Sequence, residues 1–426
     1  MARRSTASHY KREGENEETP KFNRQHRFYS IKTAHNTIER TGDSVKKIIG
    51  SEKIPIKLWL DDIDEGTLRQ AKNLANLPFA FKWIALMPDS HQGYGMPIGG
   101  VMAAKNVIVP NAVGVDIGCG MCAVRTSLKT VNCDTLKKIM SRIRETIPLG
   151  FKRHKQKQIW KGFDAAPDIQ VIQRELKSAH FQLGTLGGGN HFIEIQKGSD
   201  GYIWIMIHSG SRNFGLQIAR EYGQRAVKAC EKLKLPDKDL SFFQMGSKNA
   251  TEYLCAMNFA LDFARENRFR MVEAVKRSFV AQIDKVGFQH TINIHHNYAA
   301  CETHFGEEVI VHRKGATRAQ KGETGLIPGS QGTKSYVVKG KGNPHSFMSC
   351  SHGAGRKLGR KQAQRELSLR EEKKRLDDLN IIHSIRNVSD LDEAAGAYKN
   401  IEQVMINQSD LVQIEVELNP LAVIKG

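Results

Sequence analysis

The residues of this chain best suited to chemistry fall in five short segments rich in glycine and asparagine. They are residues 111–120 (N-A-V-G-V-D-I-G-C-G), 187–192 (G-G-G-N-H-F), 207–215 (I-H-S-G-S-R-N-F-G), 295–298 (H-H-N-Y) and 351–356 (S-H-G-A-G-R). Aspartate, cysteine and histidine are the side chains that hold transition metals. Glycine beside them lets backbone approach a bound group closely. Asp116 and Cys119 read as a pair in one turn, with Cys119 as thiolate. His191, His208 and His296 each have glycine or asparagine nearby, which favours ligands over satisfied core histidines. These positions span about 180 residues. Zinc-finger ligands are local, so the pattern predicts a folded active site. Mixed Cys, His and carboxylate ligation suits Zn²⁺, Mn²⁺ or Fe²⁺, and ligand chemistry alone favours zinc.

Other short matches carry less. Cys119-Gly-Met-Cys122 is a C-x-x-C, but no second pair or nearby histidine completes a zinc site. The same stretch nominally fits a dinucleotide fingerprint, without the βαβ unit that motif needs. Residues 184–190 (G-T-L-G-G-G-N) and 328–334 (P-G-S-Q-G-T-K, Pro328 to Lys334 and including Ser330) are loops whose backbone N–H groups can cradle phosphates. There is no G-x-x-x-x-G-K-[ST], which excludes a P-loop ATPase, and no K-x-D-G, which leaves a lysine-nucleophile ligase route unsupported. His352 is then the natural nucleotidyl carrier, because imidazole can attack phosphorus.

The elements that must position these residues are legible in outline. Residues 100–109 read as a buried strand region, and 202–207 as a strand ending at His208. Residues 133–147 carry Leu136, Ile139, Ile143 and Ile147 at helical spacing. Residues 215–233 and 251–280 read as two further helices, and 360–379 as one charged helix with a solvated face. Residues 291–296 alternate, so a strand there puts Ile292, Ile294 and His296 on one face and His295 on the other. Helices and strands mix without regular βαβ alternation and without a 20–50 residue repeat, which predicts an α+β fold.

Composition narrows the class. The chain has 426 residues, 40% hydrophobic and 26% charged, as in globular proteins. No apolar run reaches the ~18 residues of a membrane span. The N-terminus lacks the apolar core of an export signal. Sixty-four Lys and Arg against 45 Asp and Glu give a net charge of +19, which favours a polyanionic partner, nucleic acid or nucleotide. Seven scattered cysteines form no disulfide framework and point to a reducing cytoplasm. Residues 1–27 are polar, charged and aperiodic and are expected to be a disordered tail, with one large domain from 28 to 426.

Taken together, the motifs resemble the RtcB family of RNA-splicing ligases. The likeness runs from about Pro55 to the C-terminus. Besides the five segments it includes M-P-D-S-H-Q-G-Y-G-M-P-I-G-G (87–100), H-R-K-G-A-T-R-A (312–319), L-I-P-G-S-Q-G-T (326–333) and D-E-A-A-G-A-Y-K-N-I (392–401). The resemblance implies a single RtcB-like α+β catalytic domain of mixed sheets and helical insertions around a central site for two Mn²⁺ ions, overriding zinc. Cys119 would bridge both metals, with His208 and His296 completing one site and Asp116 and His191 the other. His352 would attack GTP and carry GMP, with Asp89 orienting its ring. Asn190, Phe192 and Glu194 would line the nucleotide and metal pocket. Pro328, Ser330, Tyr398 and Lys425 would contact the guanylate, and Gly353, Ala354 and Gly355 would let it approach. The implied reaction is GTP-dependent joining of RNA ends bearing a 2′,3′-cyclic phosphate or 3′-phosphate to 5′-hydroxyl ends, and the resemblance leaves room for an activating protein partner. Ser90 departs from the family, many members of which have Val there. A metal phosphatase or nuclease, and a noncatalytic RNA-binding protein with a structural metal, are the competing readings.

Overall fold

The structure is a computed structural model and describes residues 45–426. The expected tail (1–27) and the first residues of the expected domain lie outside the described residues.

Two large sheets organise the chain. The six-stranded sheet runs Lys47–Ile49, Ile56–Leu58, Ala80–His91, Ile98–Ala104, Glu307–Lys314, Asn297–His304. The seven-stranded sheet runs Ile292–His295, Gly120–Arg125, Ile203–Ser209, Phe192–Gly198, Val412–Lys425, Ser335–Gly340, Thr324–Ile327. Neighbours are antiparallel except Ile56–Leu58 beside Ala80–His91. Helices pack on these sheets without βαβ repetition, so the fold is α+β, as expected.

The chain passes directly from one sheet to the other at a single residue. Ile292–His295 is an edge of the seven-stranded sheet, and Asn297–His304 is an edge of the six-stranded one. His296 is the bend between them, fixed by its N–H donating to the Cys119 carbonyl (2.9 Å) and by its own carbonyl accepting from Ala316 N (3.1 Å). The expected strand through His296 therefore stops one residue short. The chain must turn there to change sheets.

The 33-residue helix Lys248–Val280 crosses the seven-stranded sheet. Ser247 caps it, accepting from Ala250 N. Met271, Val272, Val275 and Phe279 bury against Val124, Ile193, Ile205 and Ile207 of the sheet. Its polar residues matter as much. Asn267 and Arg268 are fully buried. Asn267 Oδ1 accepts from the N–H groups of Gly184 and Thr185, and its amide donates to Gly210 O. The Arg268 guanidinium donates to the carbonyls of Gly118 (2.8 Å) and Ser209 (2.9 Å) and to Asn293 Oδ1 (2.8 Å). One pair of helix residues thus braces loops from four distant parts of the sequence.

Several expected elements differ in extent. The strand region 100–109 is split into Ile98–Ala104 and Val107–Ile108, because Asn106 takes a left-handed turn (φ 59°). The helix 215–233 is observed as Arg212–Ala229. The charged helix 360–379 is two helices, Arg360–Glu366 and Leu369–Asp378. Ser368 breaks it by capping the second helix, accepting from Glu371 N, and Glu372 on that supposedly solvated surface is buried. Among the described residues no helix is long and apolar enough to cross a membrane.

Candidate metal and nucleotide centre

Five donor side chains from four separate segments converge at the seam between the sheets. Asp116 and Cys119 share a tight turn in which Cys119 N donates to Asp116 O (3.1 Å). His191 immediately precedes the strand Phe192–Gly198, and His208 lies on the neighbouring strand, opposite Phe192. His296 is the sheet-crossing bend. Two sets of donor atoms, Cys119–His208–His296 and Asp116–Cys119–His191, each lie within 4.8 Å of one another, and Cys119 belongs to both. His295 is excluded from the cluster: its Nδ1 lies 3.1 Å from both the Gly118 carbonyl oxygen and the Arg268 guanidinium.

The arrangement fits metal ions. Cys119 Sγ is 3.2 Å from His208 Nε2 and 3.4 Å from His191 Nε2, and His208 Nε2 is 3.4 Å from His296 Nε2. His191 Nδ1 lies 3.0 Å from the Leu186 carbonyl and His208 Nδ1 lies 3.1 Å from the Asn190 carbonyl. A carbonyl only accepts, so His208 Nδ1 carries its proton and its Nε2 lone pair faces inward, the usual preparation of a metal-binding imidazole, whereas His191 Nδ1 also meets the Arg212 guanidinium at 3.1 Å. Burial, with neighbouring positive groups, lowers the pKa of His208 and His296 well below the ordinary value. Burial and then the Asp116 carboxylate push the Cys119 thiol up. Burial thus disfavours charge on these two histidines and on the thiol, and a cation held among them would reverse the thiol's preference. Burial would raise Asp116 too, but the hydrogen bond from His191 and the positive charge of Arg212 outweigh it and hold the carboxyl low.

Next to this cluster stands a second pair. His352 follows the short strand Ser349–Ser351, and its ring centroid is 4.8 Å from that of His296. Asp89 sits where Ala80–His91 slips register against Ile98–Ala104, a bulge that aims its side chain at the next layer. Asp89 Oδ2 is 2.6 Å from His352 Nδ1 and accepts from the backbone N–H groups of His352 (3.0 Å) and Gly353 (3.2 Å). Burial would raise this fully buried carboxyl, but the facing His352, with His91 and Lys399, outweighs it. The Nδ1–H bond to Asp89 leaves the Nε2 lone pair of His352 free. Gly355 cannot carry a side chain: its φ is 75° and a Cβ would sit 2.2 Å from the Asp89 carbonyl.

A cavity of about 2250 Å³ joins the two parts. The five donors line it, as do His352, Gly353, Ala354 and Gly355, while Asp89 lies buried behind. Asn190, Phe192, Glu194, Pro328, Ser330, Tyr398 and Lys425 line it as well. Burial raises the Glu194 carboxyl to about 7, only partly offset by Lys425 and Gln196. Tyr398 donates to the buried Glu393, which also pairs with Arg356 (2.7 Å) and Arg360 (2.8 Å). Burial lowers Lys425, against the pull of Glu393, Glu194 and Asp392.

Sequence reasoning missed several residues of this site. Arg356, Glu393 and Arg212 lay inside or beside quoted motifs without a role. Arg212 Nη1 is 3.1 Å from His191 Nδ1. Asn297 accepts from Gly315 N (2.7 Å) and donates to Asp116 O (3.0 Å), tying the Asp116–Cys119 turn to the loop under His352. For Arg356 and Asn297 the available signal was a charged or amide residue directly after a motif glycine or histidine. Arg268 offered none, because one arginine among many on a long helix reads as surface.

The fold and site define an α+β protein with a buried donor cluster that could hold metal ions and a carboxylate-bound histidine beside it. The family model described as "tRNA-splicing ligase RtcB" matches residues 70–426. The "RNA-splicing ligase RtcB" of Escherichia coli K12 is 37% identical over 408 residues, covering 89% of this chain and 99% of that protein. The "tRNA-splicing ligase RtcB" of Pyrobaculum aerophilum is 31% identical over 462 aligned positions, covering 88% of this chain and 95% of that protein. The "RNA-splicing ligase RtcB" of Mycobacterium tuberculosis is 32% identical, covering 84% of this chain and all of that protein. The chain belongs to the RtcB family.

Proposed function

We propose that this chain, an RNA ligase by family, joins RNA 3′-phosphate or 2′,3′-cyclic phosphate ends to 5′-hydroxyl ends through a guanylylated His352, with GTP as co-substrate and two Mn²⁺ ions as cofactor. The observation that carries the reading is the Asp89–His352 pair, 4.8 Å from the His296 ring in one shared cavity. Asp89 fixes the tautomer with Nδ1 protonated. His352 Nε2 then attacks the α-phosphorus of GTP, a P–N bond forms, and the bond to the β-phosphate oxygen breaks with loss of pyrophosphate. Water opens any cyclic phosphate. An oxygen of the RNA 3′-phosphate next displaces His352 from phosphorus, so GMP becomes a leaving group on the RNA end. The 5′-hydroxyl oxygen attacks that 3′-phosphorus, and GMP departs as the phosphodiester forms.

Asp116, Cys119, His191, His208 and His296 are the residues that would hold the metals. Bound there, the ions neutralise phosphate charge and favour an incoming oxygen nucleophile. A hard-leaning ion such as Mn²⁺ suits a centre that meets phosphate oxygens. Lys425, Tyr398, Arg356 and Ser330 would contact the guanylate, with Asn190, Phe192, Glu194 and Pro328 shaping its pocket, a reading supported by their lining one cavity. We assign residues 28–426 to this one catalytic domain. The seven cysteines are free thiols, which supports a reducing cytoplasm as its place of work.

Incubation with α-labelled GTP and Mn²⁺ tests the reading. The expected result is an acid-labile protein–GMP adduct, absent in His352→Ala and discharged by RNA 3′-phosphate. Release of phosphate from RNA without an adduct would identify a hydrolase instead, and neither product a simple RNA binder.

A further inference from the structure

We propose that residues 150–157 form a single-strand RNA platform on the rim of the cavity, where Phe151 stacks a nucleobase and Lys152, Arg153, Lys155 and Lys157 meet backbone phosphates. The choice of RNA rests on the ligase reading above. A lone exposed phenylalanine is ordinary. Phe151 differs in its setting. Its side chain is fully exposed (107%), yet it lines the same cavity as the donor cluster. The next six residues place four exposed cations beside it, and none of these forms an ion pair with a described carboxylate. Arg153 lies 5.8 Å from the ring of Phe181, which leaves its N–H edge free to donate. Aromatic faces alternating with cations are what a strand of stacked bases and phosphates requires.

The loop is held rather than loose. Gly150 N donates to Gly187 O (3.0 Å), His154 N to Phe181 O (2.9 Å) and Gln158 N to His180 O (2.9 Å). Little ordering entropy is then lost when a ligand lands on it. One cavity wall links the platform to the donor cluster. Gly150, Gly188 and Gly426 touch one another along the cavity wall, where a Cβ on Gly188 would meet Gly150 Cα at 3.8 Å and one on Gly150 would meet Gly426 at 3.8 Å. Gly426 N in turn donates to the His191 carbonyl (3.3 Å). A strand leaving Phe151 along this wall reaches the His191 and Asp116 end of the cluster, away from His352. An acidic protein segment is the rival occupant, and the cavity wall leading to the phosphate-handling centre favours RNA over it.

The test uses the full chain and a short single-stranded RNA with a 3′-phosphate and 2-aminopurine near that end. In the wild type the 2-aminopurine fluorescence should be quenched on binding. Phe151→Ala should remove the quenching and weaken binding about tenfold, one stacked base. Phe151→Trp should restore both. Replacing the four cations by serine should reduce the slope of log affinity against log salt by roughly 2–3, at about 0.7 per phosphate contact. The GMP adduct should form normally in all of these variants. Unchanged affinity in Phe151→Ala, or no binding of RNA by the wild type, overturns the platform. A wild type without the adduct whose RNA binding still depends on Phe151 overturns the ligation mechanism and leaves the platform standing.

Discussion

One oxygen of Asp89 holds His352 by ring and backbone together: Oδ2 lies 2.6 Å from the ring Nδ1 and 3.0 Å from the backbone nitrogen of the same residue. The imidazole therefore cannot rotate without breaking a bond to a buried carboxylate. Asp89→Asn keeps the size but removes the charge and weakens the preference for an Nδ1 proton. The rate of protein–GMP formation should fall about 100-fold or more, with GTP binding changed far less. An unchanged rate would mean that Asp89 is a structural anchor only.

Cys119 is shared by both donor sets, whereas Asp116 and His296 belong to one each. Cys119→Ala should abolish Mn²⁺ binding at both positions, and guanylylation and ligation with it. Asp116→Ala and His296→Ala should each leave one ion bound. Titration calorimetry with Mn²⁺ distinguishes these stoichiometries, and two ions retained by Cys119→Ala would refute a bridging thiolate.

Gly210 is not a donor, but a Cβ there would lie 2.3 Å from Asp116 Oδ1. Asp116 must swing away in Gly210→Ala. The substitution should cost one Mn²⁺ per chain and most ligation activity while leaving the Cys119–His208–His296 set intact. Metal content after gel filtration is the measurement, and a full complement of two ions would contradict the steric argument.

Acid stability should depend on Glu302. Burial alone would raise its carboxyl, but hydrogen bonds from His304 and Arg313 and the Arg313 charge hold it at about 2 against an ordinary 4.5. A carboxyl lowered on folding stabilises above the unfolded pKa, and that stability disappears as pH falls through the folded one. Unfolding midpoints should therefore drop steeply between pH 4.5 and 2 in the wild type. Glu302→Gln should flatten that limb. It should also cost about 3 kcal/mol at neutral pH, because Arg313 is fully buried and loses its carboxylate. Equal pH profiles for the two proteins would rule out the assignment.

Much of the fold could be read in advance where periodicity was strong. The helix Cys133–Thr146 follows from Leu136, Ile139 and Ile143, and the strand Ile203–Ser209 from its unbroken apolar run. Periodicity failed where capping or a left-handed residue intervened, as at Ser368 and Asn106. It also missed the end of a strand at His296, since alternation reports which face a residue takes but not where the chain leaves its sheet.

The sequence by itself determined the family and which side chains could bear chemistry, because donor type and glycine spacing are local properties that survive in one dimension. Only the tertiary structure decided which of them meet. The seam between two sheets brings Asp116, Cys119, His191, His208 and His296 within reach of one another. The bulge at Asp89 and the buried Asn267–Arg268 brace set the remaining geometry. Such contacts join positions far apart in the chain, and no local pattern of hydropathy or propensity encodes a distance between them.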